Sequence, residues 1–125
     1  MGYETRLYVV EKYNSMTMEI EGEKYSYCEK IAMFDLCKLG TVNTSSEEFA
    51  QRKVHVYLYS GDDIVTEDSY GDLLREYTVE EMIEKLSKIE NYRRIAPCIG
   101  MLKGFLEEKA KGNYRDNLKV LAYGY

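Results

Sequence analysis

Period-two alternation of apolar and polar residues recurs through the first half of this chain, and sustained helical periodicity is clearest over residues 79–111. That order decides what the chain can fold into. From Thr5 to Lys12, residues Thr5, Leu7 and Val9 share one face and Arg6, Tyr8 and Val10 the other, with β-branched and aromatic types dominant, which predicts a strand. A second strand starts near Met16, and Glu21-Gly22-Glu23 turns it into Lys24-Tyr25-Ser26-Tyr27, a hairpin. Glu29 to Leu39 fits a helix through Ile31, Phe34 and Lys38, or a strand through Ala32, Phe34 and Leu36; the strand is favoured. Gly40 to Ser46 reads as a polar loop, and Ser45 with Glu48 as a capping box opening one helical turn over Glu47 to Gln51.

Lys53 to Tyr59 gives the clearest alternation, with Val54, Val56 and Leu58 on one side and His55, Tyr57 and Tyr59 on the other. Ser60-Gly61-Asp62 then turns the chain into a short strand over Ile64 to Thr66. Thr78 and Glu81 form a second capping box, followed by Val79, Met82, Ile83, Leu86 and Ile89 at helical spacing. Pro97 suits a first helical turn, and Cys98, Ile99, Leu102, Phe105 and Leu106 make an apolar stripe ending at Gly112. A final strand follows, because Leu118, Val120 and Ala122 alternate with Lys119, Leu121 and Tyr123.

Strands, then two helices, then one strand do not alternate as a doubly wound parallel sheet requires. The expectation is a single α+β domain over residues 1–125: a mostly antiparallel sheet with two helices, 79–90 and 97–111, packed on one face. The other face would stay partly open, lined by His55, Tyr57, Tyr59, Tyr8 and Tyr123. The terminal strand, Leu118 to Tyr123, could lie at a sheet edge and pair with a second copy, giving a homodimer.

The net charge of −5 opposes phosphate backbones, so nucleic acid is a disfavoured partner. No run of about 18 uncharged apolar residues exists to span a membrane, and Met1 to Arg6 carries no apolar signal core, which together lead to the expectation of a cytoplasmic protein. Cys28, Cys37 and Cys98 lack the close spacing of a disulfide scaffold and read as reduced thiols. The chain holds 13 tyrosines and no tryptophan, and tyrosine serves both half-buried sheet surfaces and contact surfaces.

Few residues offer chemistry. His55, the single histidine, falls mid-strand among tyrosines, where a structural role is the plainer reading than a general base. With three cysteines it would complete a four-ligand zinc set, but the spacing opposes this, and no metal or cofactor is expected. Asp62, Asp63, Glu67, Asp68 and Asp72 cluster without the alternating ligands and central glycine of a calcium loop. They read as a solvated acidic loop, whose functional version is docking to a basic protein surface. Arg93 and Arg94 precede the second helix and could hold a small anionic ligand, although pairing with the protein's own acids is the simpler role. Gly100 and Gly104 form a GxxxG, which in a soluble helix permits close packing.

Three segments, Asp68-Ser69-Tyr70-Gly71-Asp72-Leu73, Tyr92-Arg93-Arg94-Ile95-Ala96-Pro97-Cys98 and Leu121-Ala122-Tyr123-Gly124-Tyr125, resemble short bacteriophage accessory proteins of unassigned activity. The resemblance contains no catalytic motif. It implies a protein that acts stoichiometrically on a host defence or regulatory component. The leading expectation is therefore a non-enzymatic interaction protein that inhibits or sequesters a host protein, with Asp62, Asp63, Asp68, Tyr57 and Tyr59 at the contact. The alternative is a nucleotide or small-ligand binder, or a hydrolase, using Arg93, Arg94 and His55.

Overall fold

In the computed structural model, the described residues are 5–35, 53–87, 95–114 and 117–125. The chain forms β1 (Thr5–Ile20), β2 (Glu23–Asp35), β3 (Val56–Ser60), β4 (Asp63–Val65), β5 (Arg75–Tyr77), α1 (Val79–Ser87), α2 (Ile95–Ala110) and β6 (Leu118–Gly124). The strands make one 6-stranded sheet in the order β4-β3-β2-β1-β6-β5. All neighbours are antiparallel except β2 and β3, which run parallel with Ser26 opposite Val56 and Tyr27 opposite Tyr57. The fold is α+β with a mostly antiparallel sheet, as the order of periodicities predicts.

Two turns set the hairpins. Glu21 and Gly22 both have positive φ, 50° and 86°, giving the primed turn whose twist matches paired strands. Gly61, at φ 65°, provides the bend between β3 and β4. The start of α1 is a reciprocal capping box: the Glu81 amide donates to Thr78 Oγ1 at 3.1 Å, and the Thr78 amide donates to Glu81 Oε1 at 2.8 Å.

Alternation along the strands sends side chains into two separate cores. The outer core joins Leu7 and Val9 of β1, Tyr77 of β5 and Leu118, Val120 and Ala122 of β6 to Met82 and Leu86 of α1 and Cys98 and Leu102 of α2. The inner core, on the opposite face, is built from Tyr8, Val10, Cys28, Val56, Leu58, Leu74 and Leu121. Curling of the sheet encloses it. Lys53 bridges Arg75, and the Val54 amide donates to the Leu74 carbonyl at 3.0 Å, so the chain entering β3 lies beside the chain entering β5.

This curling corrects several expectations. The face away from the helices is not open: Tyr8 is buried there and Tyr123 packs against its core, their rings edge to face at 6.1 Å. Tyr57 and Tyr59 point to the helix-bearing face instead, because Val56 and Leu58 take the inner one. The terminal strand β6 is internal, flanked by β1 and β5, so it offers no edge for pairing with a second copy. The strand expected from Lys53 starts at Val56, the short strand expected at 64–66 runs over Asp63–Val65, and β5 had no counterpart in the alternation. The expected loop and helical turn at 40–51 lie outside the described residues.

Candidate functional site

Helices α1 and α2 cover the part of the outer face formed by β5, β6 and the first residues of β1, with Ile31, Ala32 and Phe34 of β2 at the margin. No residue of β3 belongs to that helix-covered cluster. The outer face of β2 and β3, and of β1 beyond Val9, carries an aromatic cluster instead.

Its geometry follows from register. With Cys28 and Val56 fixed in the inner core, Tyr27 and Tyr57 stand side by side on the outer face, and Tyr59 follows two residues along. The Tyr27 ring centroid lies 5.5 Å from Tyr57 and 6.2 Å from Tyr59, and the Tyr57 and Tyr59 rings meet edge to face at 6.2 Å. Across β1, Tyr13 sits opposite Tyr27 and stacks on it at 5.9 Å with an interplanar angle of 17°. Tyr25 and His55 extend the row, edge to face at 5.1 Å. Tyr25 and Tyr57 are buried, whereas Tyr59 is 51% exposed.

Glu11 and Glu29 border the cluster and stand directly opposite each other in the β1–β2 ladder. The Tyr13 hydroxyl donates toward both, 3.1 Å from Glu11 Oε2 and 3.4 Å from Glu29 Oε2. The hydrogen bond to Glu11, followed by desolvation and the charges of both carboxylates, pushes the Tyr13 phenol up to about 12. Tyr27 is also raised, first by burial and then by the charge of Glu29. Lys12, between these residues in sequence, points to the other face, where its ammonium pairs with Glu76 at 2.9 Å. Among the described residues, neither Glu11 nor Glu29 forms an ion pair with a cation.

The residues anticipated from sequence are dispersed. Tyr57 and Tyr59 belong to the cluster, and Asp62 and Asp63 are exposed on the β3–β4 turn that follows it. Asp68 is not on a solvated loop. It is only 7% exposed, and its Oδ1 accepts from the amides of Tyr70 at 2.9 Å and Asp72 at 3.1 Å, fixing a turn that Ser69 ties to β6 through the Gly124 carbonyl. His55 is exposed with Tyr25 as its ring contact. Arg93 and Arg94 lie outside the described residues. Cys28 and Cys98 sit in cores on opposite sides of the sheet, and burial pushes the Cys28 thiol up to about 12. Cys37 lies outside the described residues, among which no group of three or more histidine, cysteine or acidic side chains is placed to hold a metal ion.

Sequence reasoning missed Tyr13, Tyr27, Glu11 and Glu29. The available signal was the same-face pairing of Glu11 with Tyr13 and of Tyr27 with Glu29, two apart on each strand. No protein-family model, curated protein or solved structure matches the chain. Among the described residues no helix is long and apolar enough to cross a membrane.

Proposed function

We propose that this chain is a non-enzymatic interaction protein of the phage accessory kind that its motifs resemble, which binds and inhibits or sequesters a host defence or regulatory protein. The observation that carries this reading is the packed tyrosine cluster of β2 and β3, capped by the exposed Tyr59 and bordered by Glu11 and Glu29. Tyrosine is enriched at protein contacts because a rigid ring presents large apolar area and a polar tip for little loss of conformational freedom. The acidic turn at Asp62 and Asp63 extends the surface and suits a basic partner.

The alternative with His55 as a base gains little support. The imidazole meets the Tyr25 ring edge to face, with no nucleophile or orienting carboxylate hydrogen-bonded to it among the described residues.

The test begins with affinity capture from a bacterial host lysate using wild type, Tyr59→Ala, Asp62→Lys with Asp63→Lys, and His55→Ala, each checked for folding by circular dichroism. Any captured protein is then purified, its complex with each variant is titrated, and its own activity is assayed. The expected result is a stoichiometric complex that inhibits the partner, weakened at least tenfold by Tyr59→Ala and unaffected by His55→Ala. A small-molecule turnover lost only in His55→Ala would replace this reading with an enzymatic one.

A further inference from the structure

The protein places tyrosine rings beside carboxylates in two clusters. Near the chain end, the Arg6 guanidinium carbon lies 5.5 Å from the Tyr123 ring centroid and 4.8 Å from that of Tyr125, and Arg6 Nε donates to Asp35 Oδ1 at 3.1 Å. The Tyr125 hydroxyl donates to the same carboxylate oxygen at 2.7 Å, and this bond, reinforced by Arg6, holds the Asp35 carboxyl below its usual range. Rings, a carboxylate and an arginine thus satisfy one another.

The outer-face cluster has the rings and two carboxylates but, among the described residues, no cation paired with them. Glu11 and Glu29 face each other in the ladder, an arrangement that destabilises a strand pair unless a positive charge intervenes. One tyrosine hydroxyl, that of Tyr13, is shared between them. The neighbouring cation in sequence, Lys12, is held on the opposite face by Glu76. Beside the carboxylates lie the stacked rings of Tyr13 and Tyr27 and the exposed Tyr59.

We infer that this cluster is a docking site for an arginine side chain of a partner protein, with the guanidinium stacked on the exposed Tyr59 ring and its donors shared by Glu11 and Glu29. The inference rests on the interaction reading above and names the chemistry of the partner. A guanidinium fits better than an ammonium. It is planar, so it stacks on a ring, and its fork of donors can serve two carboxylates at once, whereas lysine brings a compact, strongly hydrated charge.

The probe is an acetylated Gly-Arg-Gly-Arg-Gly peptide, titrated into full-length protein while tyrosine ring resonances are followed by NMR, with lysine and citrulline versions as controls. The arginine peptide should shift the Tyr13, Tyr27 and Tyr59 signals and bind at least tenfold more tightly than the lysine peptide, with no saturable shift from citrulline. Glu29→Gln should weaken that binding at least fivefold and raise the melting temperature of the free protein, since it removes the facing charge. Equal binding of the citrulline peptide, or shifts confined to the Asp62 and Asp63 turn, would overturn the inference. If the arginine peptide fails while a captured partner still requires Tyr59, the inference falls and the proposed function stands. If the peptide binds at the cluster while capture is indifferent to Tyr59→Ala, the arginine site stands and the proposed contact surface falls.

Discussion

The two ends of the β1–β2 hairpin have the same alternation and opposite fates. At the base, Leu7 and Val9 enter the outer core and Tyr8 and Val10 the inner one, all four essentially inaccessible, and β6 pairs with β1 from Thr5 to Glu11. Beyond Thr17 and its partner Ser26, which still pairs with Val56 of β3, the strands pair only with each other, and no residue from Asn14 to Lys24 is buried. Met16 is half exposed there. Alternation specifies that a residue will stand on a face. Whether the face is covered depends on a third element, here β6 and the helices for the outer core and the curl of the sheet for the inner one.

The largest expected effects separate these ends. Leu7→Ala should cost about 2–5 kcal/mol, because the close-packed outer core cannot collapse around the lost methyls. Met18→Ala, in the distal half, should stay within about 0.5 kcal/mol. Urea unfolding measures both, and comparable losses would mean that the distal ribbon is covered in solution.

Next in size is Asp68. Asp68→Ala should cost roughly 1–3 kcal/mol, since it leaves the Tyr70 and Asp72 amides without their acceptor in a largely buried turn. Asp68→Asn should cost much less. The Oδ1 position remains an acceptor, and the second oxygen has no hydrogen-bond partner to lose. Asp62→Lys and Asp63→Lys, on the exposed turn, should each remain within about 0.5 kcal/mol. A loss from these matching that of Asp68→Ala would restore the reading in which all three acids share one surface.

What the sequence revealed and what it withheld divide along the same line. The hairpin, both helices and the last strand were readable because periodicity and capping are local, as Thr78 and Glu81 illustrate. The inner core was not, because it depends on contacts between distant segments, Lys53 with Arg75 and Val54 with Leu74. The tyrosine cluster was half legible. Tyr57 and Tyr59 followed from alternation, but Tyr13 and Tyr27 meet only through a register shift between Tyr13 and Thr17. Continued without that shift from Thr17 opposite Ser26, the ladder would have placed Tyr13 opposite Lys30. Asp68 was misread because a run of acids looks solvated until one of them turns inward to serve backbone amides.

The cores also differ from the ribbon in chemical reactivity. Burial pushes the Cys28 thiol up to about 12, which leaves almost no thiolate at neutral pH. Labelling with a thiol reagent at pH 8 should therefore be slow at Cys28 until denaturant is added, read by mass spectrometry of the peptide containing it. The same shift gives a pH dependence. With the folded pKa above the unfolded one, the neutral thiol's contribution to stability is complete below about 8.5 and is lost as pH rises toward 12. Labelling at the unfolded rate would show that the inner core opens readily.

The smallest effect concerns the tip of the distal ribbon, where no packing competes with backbone preference. Glu21 holds φ at 50°, a left-handed conformation in which its Cβ crowds the carbonyl, while Gly22 meets the same requirement at 86° without strain. Asparagine tolerates that region through local hydrogen bonding and is preferred before glycine in primed two-residue turns. Glu21→Asn should therefore stabilise the hairpin, by up to about 1 kcal/mol. The acidic side chain removed is exposed, so the change should leave the cores untouched. Because the ribbon beyond Thr17 pairs only within its own ladder, the gain should appear mainly as slower amide hydrogen exchange from Met18 to Lys24, with a smaller rise in global stability. A large rise in global stability with unchanged local exchange would mean that the tip and the cores unfold as one unit, erasing the distinction between the two ends of the hairpin.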